Sequence, residues 1–286
     1  MNTRVVHSAL LACALFGAPA AQAQNAGWTA DHVPTDSLAA PAPFGPGEHL
    51  VYRVKMGWFN VGRGSLTIEG LEDVRGNPTY RAAMSLNGRA TFYKLDDKYT
   101  TWFDTRRLQS WRFIRDYKGT YTSYRHYEFY PDRDQWDRED NDEFGPMSTD
   151  NPLDDISFVY FLRTLPLNVG DVYTYDRYFR EEGNPVTVRV LRKDRRKTDA
   201  GEFNTIVVSP TFRSEGLFAD GGNAELHFTD DERRILVYMK VDMPGIPGSL
   251  TLHLQSIQEG FPLNPESRRV ALAARAARQQ GGRSNR

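Results

Sequence analysis

Cysteine is almost absent from this chain, and its absence removes several kinds of chemistry. The single cysteine, Cys13, lies in the N-terminal segment, so the rest of the 286 residues offers no disulfide and no thiol nucleophile. Histidine is sparse as well, and no HExxH or other paired spacing typical of a zinc site occurs. No glycine-rich loop leads from a strand into a helix, as a phosphate-binding loop requires. We therefore expect neither a metal nor a cofactor.

Residues 1–23 have the three parts of a secretory signal peptide. Arg4 supplies the positive charge, Ala9–Ala18 form an apolar stretch too short to span a bilayer, and small residues follow. We expect export to the periplasm, with cleavage near Ala23. The stretch LLAC, which ends in Cys13, loosely resembles a bacterial lipobox and leaves lipidation open as the alternative. Apolar sequence continues beyond it, which favours cleavage.

Charge is nearly balanced over the whole chain but unevenly placed. The formal net charge is −1, whereas residues 264–286 alone carry six arginines against one glutamate. The body of the chain is therefore mildly acidic and offers no broad basic face for nucleic acid. We expect the basic end to be attracted to anionic membrane surfaces, and its deletion to weaken binding to anionic vesicles at low salt.

Alternation of apolar and polar residues predicts strands over most of the chain. In HLVYRVKM, Leu50, Tyr52 and Val54 fall on one face, and Arg53 and Lys55 fall on the other. Comparable segments recur as far as SLTLHLQSI, separated by turn residues. We predict an all-β, mainly antiparallel fold: a curved sheet that forms a half-barrel or barrel of about 10–12 strands.

One buried helix is expected near residues 153–165. Asp150 or Asn151 is suited to be its N-cap, Pro152 falls in the first turn, and two aspartates lie at the positive end of the dipole. Apolar residues then cover nearly every side until Pro166 ends the pattern. Because a helix that is apolar all round is buried, we expect it to plug the curved sheet.

These patterns divide the chain into four parts. After the signal peptide of residues 1–23, residues 24–46 are rich in alanine and proline and lack periodicity, which predicts a flexible leader. Residues 47–262 are predicted to form a single β-rich domain. Residues 263–286 are predicted to be a basic tail, either disordered or a short helix.

Four segments occur in an order that resembles a known family. They are FGPGEHLVYRVKMGWFNVGRGSLTI, DDISFVYFLRTLPLNVGD, DAGEFNTIVVSP and LHFTDDERRILVYMKV. Together they resemble the periplasmic family called domain of unknown function 3108, over about residues 44–260. The resemblance implies one secreted β-rich domain and carries no established reaction. Such folds are similar to the half-barrels of lipoprotein carriers, an analogy of fold and not of function.

Other groups of reactive residues are better explained by structure than by catalysis. The charged run in HFTDDERRILVYMKV, residues 227–241, is predicted to be the solvated turn of a hairpin. Ser65 in GRGSL lacks the second glycine of a nucleophile elbow. The acidic run DRDQWDREDNDEFGP lacks ligands that a calcium loop requires. His227 and His253 could meet across a sheet, but two polar residues on a solvent face are the simpler interpretation.

Aromatic residues are the leading candidates for a binding site. They could line a cavity for an acyl chain or form a platform for sugar rings, or they could simply pack the sheet. The candidate ligand-binding residues are Tyr52, Trp58, Phe59, Trp102, Trp111, Phe113 and Tyr127. No residue is assigned a catalytic role.

Three functions remain open from the sequence. The first is a non-enzymatic periplasmic protein that binds or carries a hydrophobic or amphipathic ligand such as a lipid. The second is a structural or interaction protein of the envelope that binds protein partners or glycan through an aromatic face. The third is a hydrolase, for which two buried carboxylates about 5–9 Å apart in a cleft would be required.

Overall fold

The structure of the protein, a computed structural model, describes residues 42–90, 93–120, 122–212, 224–242 and 249–263. In these segments the chain forms one antiparallel sheet of 14 strands and one α-helix, α1 (Asp155–Leu162). The strands are β1 (His49–Met56), β2 (Phe59–Val74), β3 (Asn77–Ala90), β4 (Tyr93–Asp104), β5 (Ser110–Lys118), β6 (Thr122–Tyr130), β7 (Gln135–Arg138), β8 (Phe144–Pro146), β9 (Val172–Tyr175), β10 (Val186–Thr198), β11 (Gly201–Thr211), β12 (Glu225–Thr229), β13 (Leu236–Asp242) and β14 (Ser249–Gln258). The predicted signal peptide, most of the predicted leader and the basic tail lie outside the described residues.

The sheet is a meander with one additional pair. Each strand pairs with the next strand along the chain, except that β8 and β9 do not pair, and β1 pairs with β14. Within the described residues the sheet therefore runs from β8 to β9 as an open sheet and not a closed barrel. The prediction of an all-β, mainly antiparallel fold is confirmed.

The sheet has 14 strands, whereas the alternation of apolar and polar residues predicts about 10–12 strands. The difference lies partly in the acidic segment, whose composition predicts a strand end and a loop but which contains β7 and β8. These strands have four and three residues. Runs this short contain too few alternations for the period to be read from the sequence.

Alternate residues of the strands point to the inside and the outside of the curve. In β1, Leu50, Tyr52 and Val54 are fully buried, while Arg53 and Lys55 on the other face are only partly covered. Register shifts between β2 and β3 and between β10 and β11 mark β-bulges, which bend a sheet locally. The face that carries Leu50 is the inner face, and it surrounds the core.

The meander places its turns alternately at two rims. We call the rim that holds the β1–β2 turn, Gly57–Trp58, and the β5–β6 turn the upper rim. The lower rim holds Glu48 and the β2–β3 turn, Arg75–Gly76. Because β8 runs toward the lower rim, the connection from β8 to β9 that carries α1 enters the curve from below.

The helix α1 begins later than the sequence predicts. Its N-cap is Asp154, and not Asp150 or Asn151. Asp154 Oδ1 accepts hydrogen bonds from the backbone N of Ile156 at 2.8 Å and of Ser157 at 3.0 Å, and Ser157 Oγ accepts one in return from Asp154 N at 2.9 Å. All helical residues are buried, as expected of a helix that plugs the curve.

No helix in the described segments combines the length and the apolar character needed to cross a membrane.

A buried ion pair fixes the end of α1 at the lower rim. Arg163 donates from Nη1 and Nη2 to the two carboxylate oxygens of Glu48, at 2.6 and 2.8 Å. The Phe44 ring packs against Tyr160 of the helix, with centroids 4.9 Å apart. Ala42 and Phe44 are buried, so the described core begins ahead of residue 47.

The end of the β10–β11 hairpin folds over the outer face of β12–β14. Ala200 N donates to Leu254 O at 3.4 Å, and the Arg196 guanidinium lies 4.2 Å from the centre of the Tyr238 ring. His227, on the outer face of β12, is consequently fully buried.

Candidate functional site

Polar residues gather on the inner face towards the upper rim, where most neighbouring positions are apolar. Asp97 and Tyr99 of β4 pair in register with Tyr117 and Arg115 of β5, respectively, so the four side chains share this face. The rings of Tyr99 and Tyr117 meet edge to face, with centroids 5.5 Å apart. We call these four residues the inner polar cluster.

Arg115 connects the inner polar cluster to the helix. It is buried, and its Nη2 donates to Asp155 Oδ2 at 2.8 Å and to the Tyr178 hydroxyl at 3.1 Å. Its Nε is also buried but has no hydrogen-bond partner among the described residues. A buried donor without an acceptor is costly unless water or a ligand satisfies it. The Nε of Arg163, at the opposite end of α1, is in the same state, so this donor indicates a ligand only in combination with the other members of the cluster.

Asp97 is the member of the cluster whose charge can change near neutral pH. Its register partners are Leu86 and Tyr117, and burial raises its pKa to about 6. Burial also raises the pKa of Tyr117, and raises that of Tyr99 well above its ordinary value, so both remain hydroxyls. The cluster thus combines hydroxyl donors with a carboxyl group that can be protonated in mild acid.

The inner face beside the cluster is apolar and poor in side chains. Register partners on β4, β3, β2 and β1 form rows across this face. One row consists of Leu95, Gly88, Gly62 and Val54, and the next consists of Asp97, Leu86, Gly64 and Tyr52. A Cβ on Gly62 would lie 2.0 Å from Asn87 O, so this glycine is required by the close approach of β2 and β3. The consequence is a closely packed apolar wall next to the inner polar cluster.

Three of the predicted binding residues lie on the inner face. Tyr52, Phe113 and Tyr127 are all buried. The Tyr52 hydroxyl donates to Leu236 O at 2.9 Å, which fixes it in the core. The guanidinium of Arg115 lies 5.2 Å from the Phe113 ring centre and 6.0 Å from that of Tyr127. Phe113 and Tyr127 therefore border the inner polar cluster.

Trp102 and Trp111 lie on the opposite, outer face. The guanidinium groups of Arg81 and Arg112 lie 5.3 and 5.2 Å from the centre of the Trp102 ring, and Trp102 is only 5% exposed. Arg75 lies 5.6 Å from the centre of the Trp111 ring. Because arginines of the same chain cover these rings, Trp102 in particular offers little aromatic surface to a sugar.

Glu128 holds the arginines of the outer face together. It accepts hydrogen bonds from Arg75 and Arg112, and it lies 2.8 Å from His126 Nε2. Burial acts to raise the pKa of Glu128, but the hydrogen bonds from His126, Arg112 and Arg75 outweigh burial and lower this pKa to about 2. A carboxylate kept ionised this strongly is unsuited to be a general acid near neutral pH.

Trp58 and Phe59 stand apart from both groups. They lie at the β1–β2 turn on the upper rim and are 87% and 68% exposed. The seven predicted residues thus occupy three separate places: the inner face, the outer face and the upper rim.

The buried carboxylates at the start of α1 serve the helix. Asp154 Oδ2 accepts hydrogen bonds from Thr101 Oγ1 at 2.5 Å and Ser110 Oγ at 2.6 Å, in addition to the backbone bonds at Oδ1. Burial raises the pKa of Asp154. Its neighbour Asp155 is ion-paired with Arg115. Since every Asp154 oxygen already has partners, this pair lacks a free acid and a free base for hydrolysis.

His227 and His253 do not meet, because Tyr238 lies between them. The Tyr238 ring centroid is 4.9 Å from that of His227 and 5.0 Å from that of His253. Burial lowers the pKa of each histidine to about 4, so both are neutral at neutral pH. The simple interpretation of two solvent-facing residues is wrong for His227, which the β10–β11 hairpin buries.

In the described part of the chain, no group of three His, Cys, Asp or Glu residues could hold a metal ion.

The charged run within residues 227–241 is the predicted hairpin turn, flanked by β12 and β13. Asp231 Oδ1 accepts from Thr229 Oγ1 at 2.6 Å and from Arg233 N at 3.1 Å. The Arg233 carbonyl accepts from Arg163 at 3.1 Å, so this turn also helps to hold the end of α1.

Sequence reasoning missed the inner polar cluster, although a signal for it exists. Leu95, Asp97, Tyr99, Thr101 and Phe103 share one phase of β4. An acid in the apolar phase of a strand indicates either a buried partner or a site. The predicted binding residues are all aromatic, so they do not include Asp97.

Solved structures resemble the protein only remotely. A β-barrel-like protein of domain of unknown function 1849 from Brucella abortus is 10% identical with a TM-score of 0.48, covering 76% of this chain and 100% of its own. A candidate lipoprotein from Parabacteroides distasonis is 9% identical with a TM-score of 0.31, covering 77% and 99%. A candidate exported protein with a YmcC-like fold from Bacteroides fragilis is 12% identical with a TM-score of 0.28, also covering 77% and 99%.

No curated protein matches the chain. The model of one family, described as protein of unknown function (DUF3108), matches residues 51–255, which span most of the described sheet from β1 to β14. The four segments that resemble this family all overlap that range. The chain belongs to the DUF3108 family of proteins of unknown function.

Proposed function

We propose that the protein is an exported, non-enzymatic binding or carrier protein of the cell envelope, and that it holds an amphipathic ligand inside the curve of its sheet. The observation that carries the proposal is the inner polar cluster. It places a carboxyl group with a pKa of about 6 and a buried Arg115 N–H on a face that is otherwise largely apolar. A few convergent polar groups on an apolar concave surface are typical of ligand sites.

The chemistry of the cluster indicates the ligand class. The Tyr99 hydroxyl donates to Tyr117, so the donors that remain for a ligand are the Tyr117 hydroxyl and Arg115 Nε. They suit a head group rich in acceptors, such as a carboxylate or an ester. The apolar wall beside them, with Leu86 and Leu95, is chemically suited to contact an aliphatic chain. A fatty acid or a single-chain lipid has both parts.

The state of the other carboxylates supports binding over hydrolysis. Asp154 has hydrogen-bond donors on both oxygens, and Asp155 is ion-paired. Glu128 is ionised and lies on the outer face. A glycan platform is likewise disfavoured at Trp102, which arginines cover. The export part of the proposal rests on the signal-peptide pattern of residues 1–23.

The first experiment is native mass spectrometry of the mature protein purified from its own periplasm, followed by extraction of any bound molecule. A stoichiometric lipid is expected. A protein that is consistently empty, and that also fails to bind the fatty-acid probe described next, overturns the carrier proposal and favours the envelope-interaction alternative.

The second experiment locates the head group by titrating delipidated protein with a fluorescent fatty acid at several pH values. Ionised Asp97 repels the probe carboxylate, so affinity is expected to fall as the pH rises through about 6. A change of about tenfold in probe affinity corresponds to a difference of one unit between the pKa of Asp97 in the free protein and its pKa in the bound protein. Asp97→Asn is expected to remove this pH dependence.

Asp96→Asn is the matched control, since Asp96 is adjacent in sequence but points to the outer face, where it pairs with Lys94 at 3.0 Å. This variant is expected to keep the pH dependence, with a somewhat lower midpoint because the Asp96 charge contributes to the raised pKa of Asp97. If the probe binds but Asp97→Asn and Asp96→Asn both behave like wild type, the inner polar cluster is not the head-group site.

A further inference from the structure

We propose that the β1–β2 turn at the upper rim docks the protein onto an anionic lipid bilayer. Trp58 and Phe59 lie side by side at this turn and are 87% and 68% exposed. Leaving two large aromatic side chains in water forgoes the favourable free energy of burying their apolar surface. This proposal does not depend on a ligand inside the sheet.

The turn presents these side chains in a defined geometry. Met56 pairs with Phe59, so the loop has only two residues, Gly57 and Trp58. Gly57 has a φ of 58°, and glycine at the first position of a two-residue loop is typical of a type II′ turn. A tight hairpin turn of this kind holds Trp58 at the tip of the rim and keeps it from folding back onto the sheet.

Positive charges without partners lie close behind the turn. Lys55, Arg63 and Arg89 are on the outer face of β1, β2 and β3 near the upper rim. None of the three forms an ion pair with another described residue. Arg53, the register partner of Arg63, differs because it forms an ion pair with Asp199.

Acidic residues at the same rim do not cancel this charge. Asp96 pairs with Lys94 at 3.0 Å, and Asp116 pairs with Lys118 at 2.6 Å. The side of the rim behind Trp58 is therefore basic, although the formal net charge of the chain is −1.

An aromatic tip with basic residues behind it is complementary to an anionic membrane surface. Tryptophan favours the interface between head groups and hydrocarbon, and each nearby Lys or Arg strengthens the attraction to anionic lipid by about fivefold. A protein partner fits less well. Two aromatic side chains supply about 150–250 Å² each, and a stable protein interface needs about 800 Å² from each partner.

The test is flotation of the full mature protein with vesicles of phosphatidylglycerol and phosphatidylethanolamine, compared with vesicles of phosphatidylcholine. Trp58→Ser/Phe59→Ser is expected to lower partitioning into anionic vesicles by about tenfold or more. Phe261→Ser is the matched control, because Phe261 is 80% exposed and its backbone N donates to Pro46 at the opposite rim. It is expected to leave partitioning unchanged.

Charge is tested with Arg63→Gln and Arg89→Gln, each expected to lower partitioning by about fivefold at low salt and by less at high salt. Arg106→Gln is the control at the lower rim, where Arg106 is exposed in the β4–β5 turn. All variants lie at exposed positions, so circular dichroism is expected to match wild type.

Two results would overturn the proposal. One is that Trp58→Ser/Phe59→Ser partitions into anionic vesicles as well as wild type does. This includes the case in which deletion of residues 264–286 alone abolishes vesicle binding, because binding would then be due to the basic tail. The other is aromatic-dependent self-association in the absence of vesicles with no flotation, which would make the turn a contact between copies of the chain.

Discussion

Replacing Glu48 by glutamine is expected to destabilise the protein strongly, because it leaves Arg163 buried without its counter-charge. The side chains of Arg163 and Glu48 are 0% and 4% exposed. After the substitution, the guanidinium would retain the carbonyl oxygens of Arg233 at 3.1 Å and Pro43 at 3.4 Å, which are dipoles and not charges. The end of α1 would lose its main link to the start of β1.

The size of the effect follows from the burial of the pair. Removing one partner of a buried ion pair costs about 3–5 kcal/mol. In a domain of this size, each kcal/mol lowers Tm by about 2–4 °C, so Tm is expected to fall by roughly 10 °C. Glu48→Leu/Arg163→Met removes both charges and is expected to recover most of the loss, since no buried charge then remains unpaired.

Urea unfolding followed by circular dichroism measures the single variants Glu48→Gln and Arg163→Met and the double variant Glu48→Leu/Arg163→Met. Glu259→Gln is the control, because Glu259 pairs with Arg233 at 2.9 Å but is 60% exposed. An exposed pair contributes about 0–1 kcal/mol. If Glu48→Gln costs no more than Glu259→Gln, or if the double variant is as unstable as the two losses added, the reasoning about the buried pair is refuted.

Further perturbations test the helix cap and the titrating groups. Asp154→Ala is expected to cost about 2–4 kcal/mol in urea unfolding, because a cap is lost and two buried hydroxyls lose their acceptor. The lowered pKa values of His227 and His253 mean that stability falls as pH drops from about 6.5 to about 4; His227→Gln is expected to flatten that fall. Asp97→Asn is expected to raise Tm at pH 8 but not at pH 4, because the raised pKa of Asp97 penalises its ionised form.

The start of α1 shows where local sequence rules stop being sufficient. Asp150, Asn151 and Asp154 are all good N-cap residues, and helix propensity does not separate them. The choice of Asp154 depends on Thr101 and Ser110, which are 53 and 44 residues away in sequence. Their hydroxyls donate to Asp154 Oδ2, the carboxylate oxygen that does not cap the helix. The existence of the helix and its burial could be predicted from its apolar residues, whereas its first turn depends on strands β4 and β5.

The strands could be predicted more fully than the contacts between them. Alternation in β1 assigns Tyr52 and Val54 to the inner face, as observed. It does not reveal that Tyr238 separates His227 from His253, since that follows from the register of β12, β13 and β14. The burial of His227 depends in addition on the folding of the β10–β11 hairpin over the outer face, a long-range contact without a local signature.

The two rims of the sheet differ in how their charged and aromatic residues are used. At the lower rim, charge is used internally: Glu48 and Arg163 neutralise each other in the core, and the helix fills the space above them. Towards the upper rim, Arg115 is also ion-paired, with Asp155, but Asp97 has a raised pKa and forms no salt bridge with another described residue, and Trp58 is 87% exposed. Stability alone favours paired charges and buried aromatic rings. The raised pKa of Asp97 and the exposure of Trp58 are two features that stability does not explain, and both lie towards the upper rim, where the proposed ligand site and the proposed membrane contact would adjoin.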